Sequence, residues 1–161
     1  MPGDERRCDD GLPAPEDAFE TKLVADVRRY GWHCVLVGDD GHAAPEAPYA
    51  YTVGLTHSYG HPELVLVGRW QHAHGILGAA VEVVQAGARL APGDESDDVL
   101  EGYPVRFGAV SAARCADLLT HAAWLYRHRP FTALQVILPD GGGRMPDEPD
   151  YDGYAQPLLA D

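Results

Sequence analysis

The densest grouping of reactive side chains is a polar loop running from His57 through Ser58, Tyr59, Gly60, His61 and Pro62 to Glu63. An imidazole two residues from a carboxylate suits proton transfer, because histidine titrates near neutrality and the carboxylate orients it. Strand alternation puts positions 61 and 63 on one face if the strand begins early enough. His61 and Glu63 are therefore the candidate catalytic residues, with His61 as the proton-transfer group. Tyr51 and Thr52 on the preceding apolar run, and His57 at the loop entry, are expected to line a pocket at this corner. The plain structural alternative has Glu63 bonding backbone amides while His61 packs on Tyr51.

Three more polar residues stand out near the carboxyl end. Gln135 lies within an apolar run, and a buried amide must find hydrogen-bond partners, either across a sheet or from a ligand. Asp140 and Arg144 flank three consecutive glycines. They offer an anion-binding corner or an ion pair closing the tail, and the pair is the expected arrangement. Gln135, Asp140 and Arg144 join Tyr51, Thr52 and His57 as candidate ligand-binding residues.

Other chemistry is argued against. Eight histidines raise a metal site, above all His57, His61, His72 and His74. His72 and His74 are two apart at a helix start, where such neighbours take different faces, and no metal is expected. Cys8, Cys34 and Cys115 show no CxxC spacing, so Cys34 and Cys115 are expected as buried free thiols. No GxSxG, phosphate loop or GxGxxG is present.

The elements that must position these groups follow from periodicity. Pro15, Glu16 and Asp17 open a helix carrying Phe19, Leu23, Val27 and Tyr30 at helical spacing, with Gly31 as its stop. Strands are expected over Trp32–Val37, Tyr49–Leu55, Glu63–Val67, Tyr103–Val110 and Leu134–Leu138. A second helix covers Gln71–Gln85. A third follows Ser111 and buries Cys115, Leu118, Leu119, Ala122, Leu125 and Tyr126. The stretch Asp94–Glu101 reads as an acidic loop.

The order α-β-β-β-α-β-α-β predicts an α+β single domain, a mixed and mainly antiparallel sheet with about three packed helices. Its expected limits are residues 15–146, between a disordered amino-terminal tail (1–14) and an acidic carboxyl-terminal tail (147–161). A chain of 161 residues fits one core. The net charge of −13 argues against nucleic acid and anionic membrane surfaces. No run approaches the roughly 20 apolar residues of a membrane span, and the amino terminus lacks a signal-peptide core. A cytoplasmic location is expected.

The runs YAYTVGL from Tyr49 and GHPELVLVG from Gly60 resemble an uncharacterised bacterial group, the domain-of-unknown-function 4262 family. Gly31-Trp32, Gly87, Leu134-Gln135, Pro139-Asp140 and Gly143-Arg144 extend the resemblance over Phe19 to Pro146. It implies a fold group and no activity. A fainter similarity is to flavin-reductase-like split barrels, which implies a flavin or haem binder using the hydroxyls of Thr52, Thr56 and Ser58. No basic cluster stands beside those residues.

The expected function is thus small-molecule binding, with catalysis in reach, at the His57–Glu63 corner; substrate and cofactor stay unspecified. Two alternatives are an acidic protein-interaction or immunity-type module and a flavin- or haem-binding protein. The partners expected are a small molecule or a protein.

Overall fold

Asp17 starts the first helix, its carboxylate accepting the Glu20 N–H at 2.7 Å. This helix, α1 (Ala18–Tyr30), ends where Gly31 takes a left-handed conformation with φ 92°, bonding back to Val27. Its buried stripe is Leu23, Val24 and Val27, each contributing roughly 1.5–3 kcal/mol by leaving water. The computed structural model describes residues 11–38, 48–68, 70–127, 129–153 and 156–160. Cys8 and most of the Gly38–Pro48 connection lie outside the described residues.

Strand β1 (His33–Val37) pairs antiparallel with β2 (Tyr49–Val53), with Val35 opposite Tyr51. A single helical turn, α2 (Leu55–Tyr59), then leads into β3 (Glu63–Val67), which runs antiparallel to β2. Helix α3 (Ala73–Gln85) follows a short 3-10 turn, and β4 (Glu95–Leu100) and β5 (Tyr103–Ala109) form a hairpin. Helices α4 (Ala112–Leu118) and α5 (Thr120–Leu125) precede β6 (Ala133–Ile137). The sheet order is β1-β2-β3-β6-β5-β4, and only the central pair, β3 with β6, is parallel.

Strands β2, β3 and β6 are buried at every position, as strands covered on both faces must be. One face carries Tyr49, Tyr51, Val53 and Val65 against α1, α4 and α5. The other packs Ala50, Leu64, Leu66, Phe107 and Val136 against α3. The α+β class expected from the sequence is what forms, as a mixed sheet.

The structure corrects four expectations. The acidic stretch Asp94–Glu101 contains strand β4, whose Glu95, Asp97 and Asp98 are exposed on an edge, where acids cost no desolvation. The third helix breaks at Leu119, with φ −100° and ψ 56°, and together with the turn α2 this makes five α-helices among the described residues where about three were expected. The loop after Tyr49–Leu55 is the helical turn α2, and β2 ends before Gly54. The ends do not stop at residues 15 and 146. Leu12 is buried in the first core cluster and receives an Arg127 hydrogen bond at 3.3 Å, while residues 1–10 lie outside the described residues. At the other end Leu159 is buried in that same cluster, and Asp147 pairs with Arg106 at 3.0 Å. Among the described residues, no helix is long and apolar enough to cross a membrane.

Candidate functional site

Glu63 opens β3 and is completely buried. Its Oε1 accepts from the Thr52 hydroxyl at 2.8 Å and the Leu55 N–H at 3.2 Å. Its Oε2 accepts from the N–H groups of Gly54 at 3.3 Å and Thr56 at 3.1 Å, and from the Tyr126 hydroxyl. All five donors are neutral. Burial pushes the carboxyl above its ordinary range, while the bonds from Tyr126, Thr56, Thr52 and Leu55 pull against that rise. The donors are themselves held: Thr52 Oγ1 accepts the Leu64 N–H at 2.9 Å, and Tyr126 accepts the His57 N–H at 3.3 Å. Glu63 therefore ties β2, α2, β3 and the end of α5 together.

His61 is 2% exposed and takes different partners. Its Nε2 accepts the Leu90 N–H at 3.0 Å, and its Nδ1 lies 2.9 Å from the Pro62 carbonyl. A carbonyl only accepts, so the proton sits on Nδ1 and both nitrogens are occupied. No hydrogen bond joins His61 to Glu63. The expected alternation fails because β3 begins at Glu63, leaving His61 in the preceding turn.

The remaining expected residues disperse. Tyr51 is fully buried and bonds His121, accepting its N–H at 3.0 Å; burial drives its phenol far upward. His57 is exposed. Gln135 donates to the Pro157 carbonyl and accepts from the Leu159 N–H, both at 2.9 Å, so it holds the tail. Asp140 accepts from the backbone N–H groups of Asp152, Arg144 and Gly142, and the first two hold its carboxyl below the ordinary range. Arg144 stands 3.8 Å from it as an ion pair. The hydroxyls of Thr52, Thr56 and Ser58 are spent internally, on Glu63, the His61 carbonyl and the Gly31 carbonyl. A flavin phosphate would find none of them free.

A second group, marked by no sequence motif, lies at the junction of α1 and β1. Asp26 Oδ2 meets His33 Nδ1 at 2.8 Å, and Lys22 bonds the other oxygen at 2.8 Å. Both partners are mostly buried, His33 at 12% and Asp26 at 16% side-chain exposure. Burial raises the Asp26 carboxyl, but Lys22 and His33 outweigh it and the net direction is down. Together with Tyr30, Trp32, Cys34 and His74 they line a cleft of about 330 Å³. The Trp32 and His74 rings lie 5.7 Å apart across the start of β1. Cys34 is pushed up to about 11 by burial and stays a thiol at neutral pH. Among the described residues, no hydrogen bond reaches His33 Nε2.

Residues 26–152 match the model of a family described as Domain of unknown function (DUF4262). The chain belongs to that family. No curated protein and no solved structure matches it. The DUF4262 match takes in Asp26, His33 and the whole Glu63 corner. Asp26 and His33 escape a motif search because they sit seven residues apart across the Gly31 stop, one on a helix and one on a strand. Among the described residues, no three His, Cys, Asp or Glu side chains gather as a metal site.

Proposed function

We propose that this protein binds a small molecule in the α1–β1 cleft and that His33 is its proton acceptor. The observation that carries the reading is the 2.8 Å Asp26–His33 pair lining a cleft, with Nε2 unspent among the described residues. A carboxylate on Nδ1 fixes the tautomer and leaves Nε2 as base, the relation that orients a catalytic imidazole. Trp32 and His74 supply flat faces, which favours a planar polar ligand. The protonated Cys34 makes thiolate attack unnecessary to the scheme. The Glu63 corner, with its carboxylate and imidazole fully engaged, acts in this reading as the scaffold. Among the described residues the thiols of Cys34 and Cys115 form no disulfide, which fits a reducing compartment such as the cytosol.

Nitrogen NMR of the imidazoles, combined with titration of benzamide as a flat probe bearing a donor and an acceptor, tests the proposal. The expected result is a His33 proton on Nδ1 and amide shifts clustered on Trp32, His33 and Cys34. The Asp26→Asn variant is expected to redistribute that proton and weaken binding. A His33 proton on Nε2 in the native protein, or probe shifts centred elsewhere, would overturn it.

A further inference from the structure

A second cavity, of about 350 Å³, lies between α4, α5 and the chain entering β6. It shares no lining residue with the α1–β1 cleft. Its floor is Cys115, 5% exposed, and its walls include Ala112, Ala116, Ala123 and the half-buried Phe131 ring. Three alanines leave open the space that longer side chains on α4 and α5 would fill.

Arg129 stands exposed at the rim. Its Nε–H donates to the Tyr126 carbonyl at 3.0 Å. That bond anchors the side chain, and among the described residues the terminal guanidinium nitrogens have no partner. A free guanidinium beside an apolar hollow, on a chain of net charge −13, is complementary to one ligand chemistry: a hydrocarbon body ending in a carboxylate. We infer that this cavity binds an apolar monocarboxylate, its hydrocarbon against the alanines and Phe131 and its carboxylate on Arg129.

The wall is held in place from behind. The Phe131 ring packs on Tyr126 with centroids 5.3 Å apart, and Tyr126 donates to Glu63. Cys115 Sγ lies 3.8 Å from the Phe131 carbonyl, and burial pushes its thiol up to about 11, so the floor is a neutral, unreactive surface.

Protein carrying ¹³C-labelled alanine methyls, titrated with octanoate and separately with 1-octanol, reads the site directly. Octanoate is expected to shift the methyls of Ala112, Ala116 and Ala123 saturably while Ala50 and Ala80, against the other sheet face, stay fixed. Arg129→Gln, at an exposed position, should weaken octanoate about fivefold or more, and octanol should bind weaker than octanoate by a similar factor. Ala116→Phe, which directs a ring into the hollow from an exposed helix position, should abolish the shifts with the amide spectrum still that of the folded protein. No saturable shift up to about 10 mM octanoate would overturn the inference. So would equal binding of octanol, or an Arg129→Gln variant that binds octanoate as the native protein does. None of these outcomes touches the α1–β1 reading, on which this inference does not rest.

Discussion

At Glu63 five donors converge on a side chain that meets no solvent. A glutamine there has one acceptor and one NH2 group. The hydroxyls of Thr52 and Tyr126 can turn to accept. Whichever way the amide turns, though, at least one fixed backbone N–H (that of Leu55, or those of Gly54 and Thr56) faces another donor. A stranded buried donor costs on the order of 1–3 kcal/mol. Glu63→Gln is therefore expected to lower folding stability by more than about 1 kcal/mol, read as a shift in the urea midpoint. An unmoved midpoint would show that water or a rearranged turn replaces the bonds. His61 presents the opposite situation, a neutral ring whose tautomer is set by a backbone N–H twenty-nine positions ahead. Nothing near His61 in the sequence could reveal that partner.

The short helix α2 shows how one element depends on another. Its first-turn N–H groups, those of Gly54, Leu55 and Thr56, point at Glu63, so the next strand supplies the cap. Gly54 itself takes φ 112°, and a Cβ there would lie 2.9 Å from Val27 and 3.0 Å from the Gly31 carbonyl. Gly54→Ala is expected to cost more than about 1 kcal/mol, and thermal melts of the variant check it; a melting temperature equal to the native protein's would refute the strain. Local patterning made α1, α3 and the interior strands legible, since Leu23 and Val27 repeat at helical spacing and β3 is an unbroken aliphatic run. It missed β4, where Val99 alone is buried and the remaining positions mimic a loop. It also missed the break at Leu119, an apolar residue that continues the helical stripe while its backbone leaves the helix. The Glu63 corner was legible as a place because polar residues crowd there. The partners were not legible, because Tyr126 and Leu90 reach Glu63 and His61 from distant elements.

Across the whole molecule, the carboxyl-terminal segment is fastened by polar groups. Gln156 accepts from the Leu138 N–H and donates to the Leu138 carbonyl, Gln135 grips Pro157 and Leu159, and Asp140 reaches Asp152. Asparagine at 140 would set its NH2 against the Asp152 N–H, donor on donor. Asp140→Asn is thus expected to lower the urea midpoint at neutral pH. The Asp140 carboxyl is held below its ordinary 3.8 in the folded state. Its contribution is therefore complete above that value and disappears as the pH falls through the lower folded value. The gap between native and variant midpoints should narrow on acidifying below 3.8; a gap independent of pH would assign the effect to shape and not to charge.

The one parallel pairing in the sheet has a kinetic consequence. Strands β1 to β3 form one meander and β4 to β6 the other, each antiparallel within itself. Within the sheet they join along the pairing of Glu63, Leu64 and Val65 with Ala133, Leu134 and Gln135, so the seam connects segments about seventy residues apart. Loop closure over that distance precedes the contacts that reward it. Neither meander buries both of its faces alone. Closing the seam is then expected to be the slow, committing event of folding, with β3 and β6 gaining protection from hydrogen exchange together, and late.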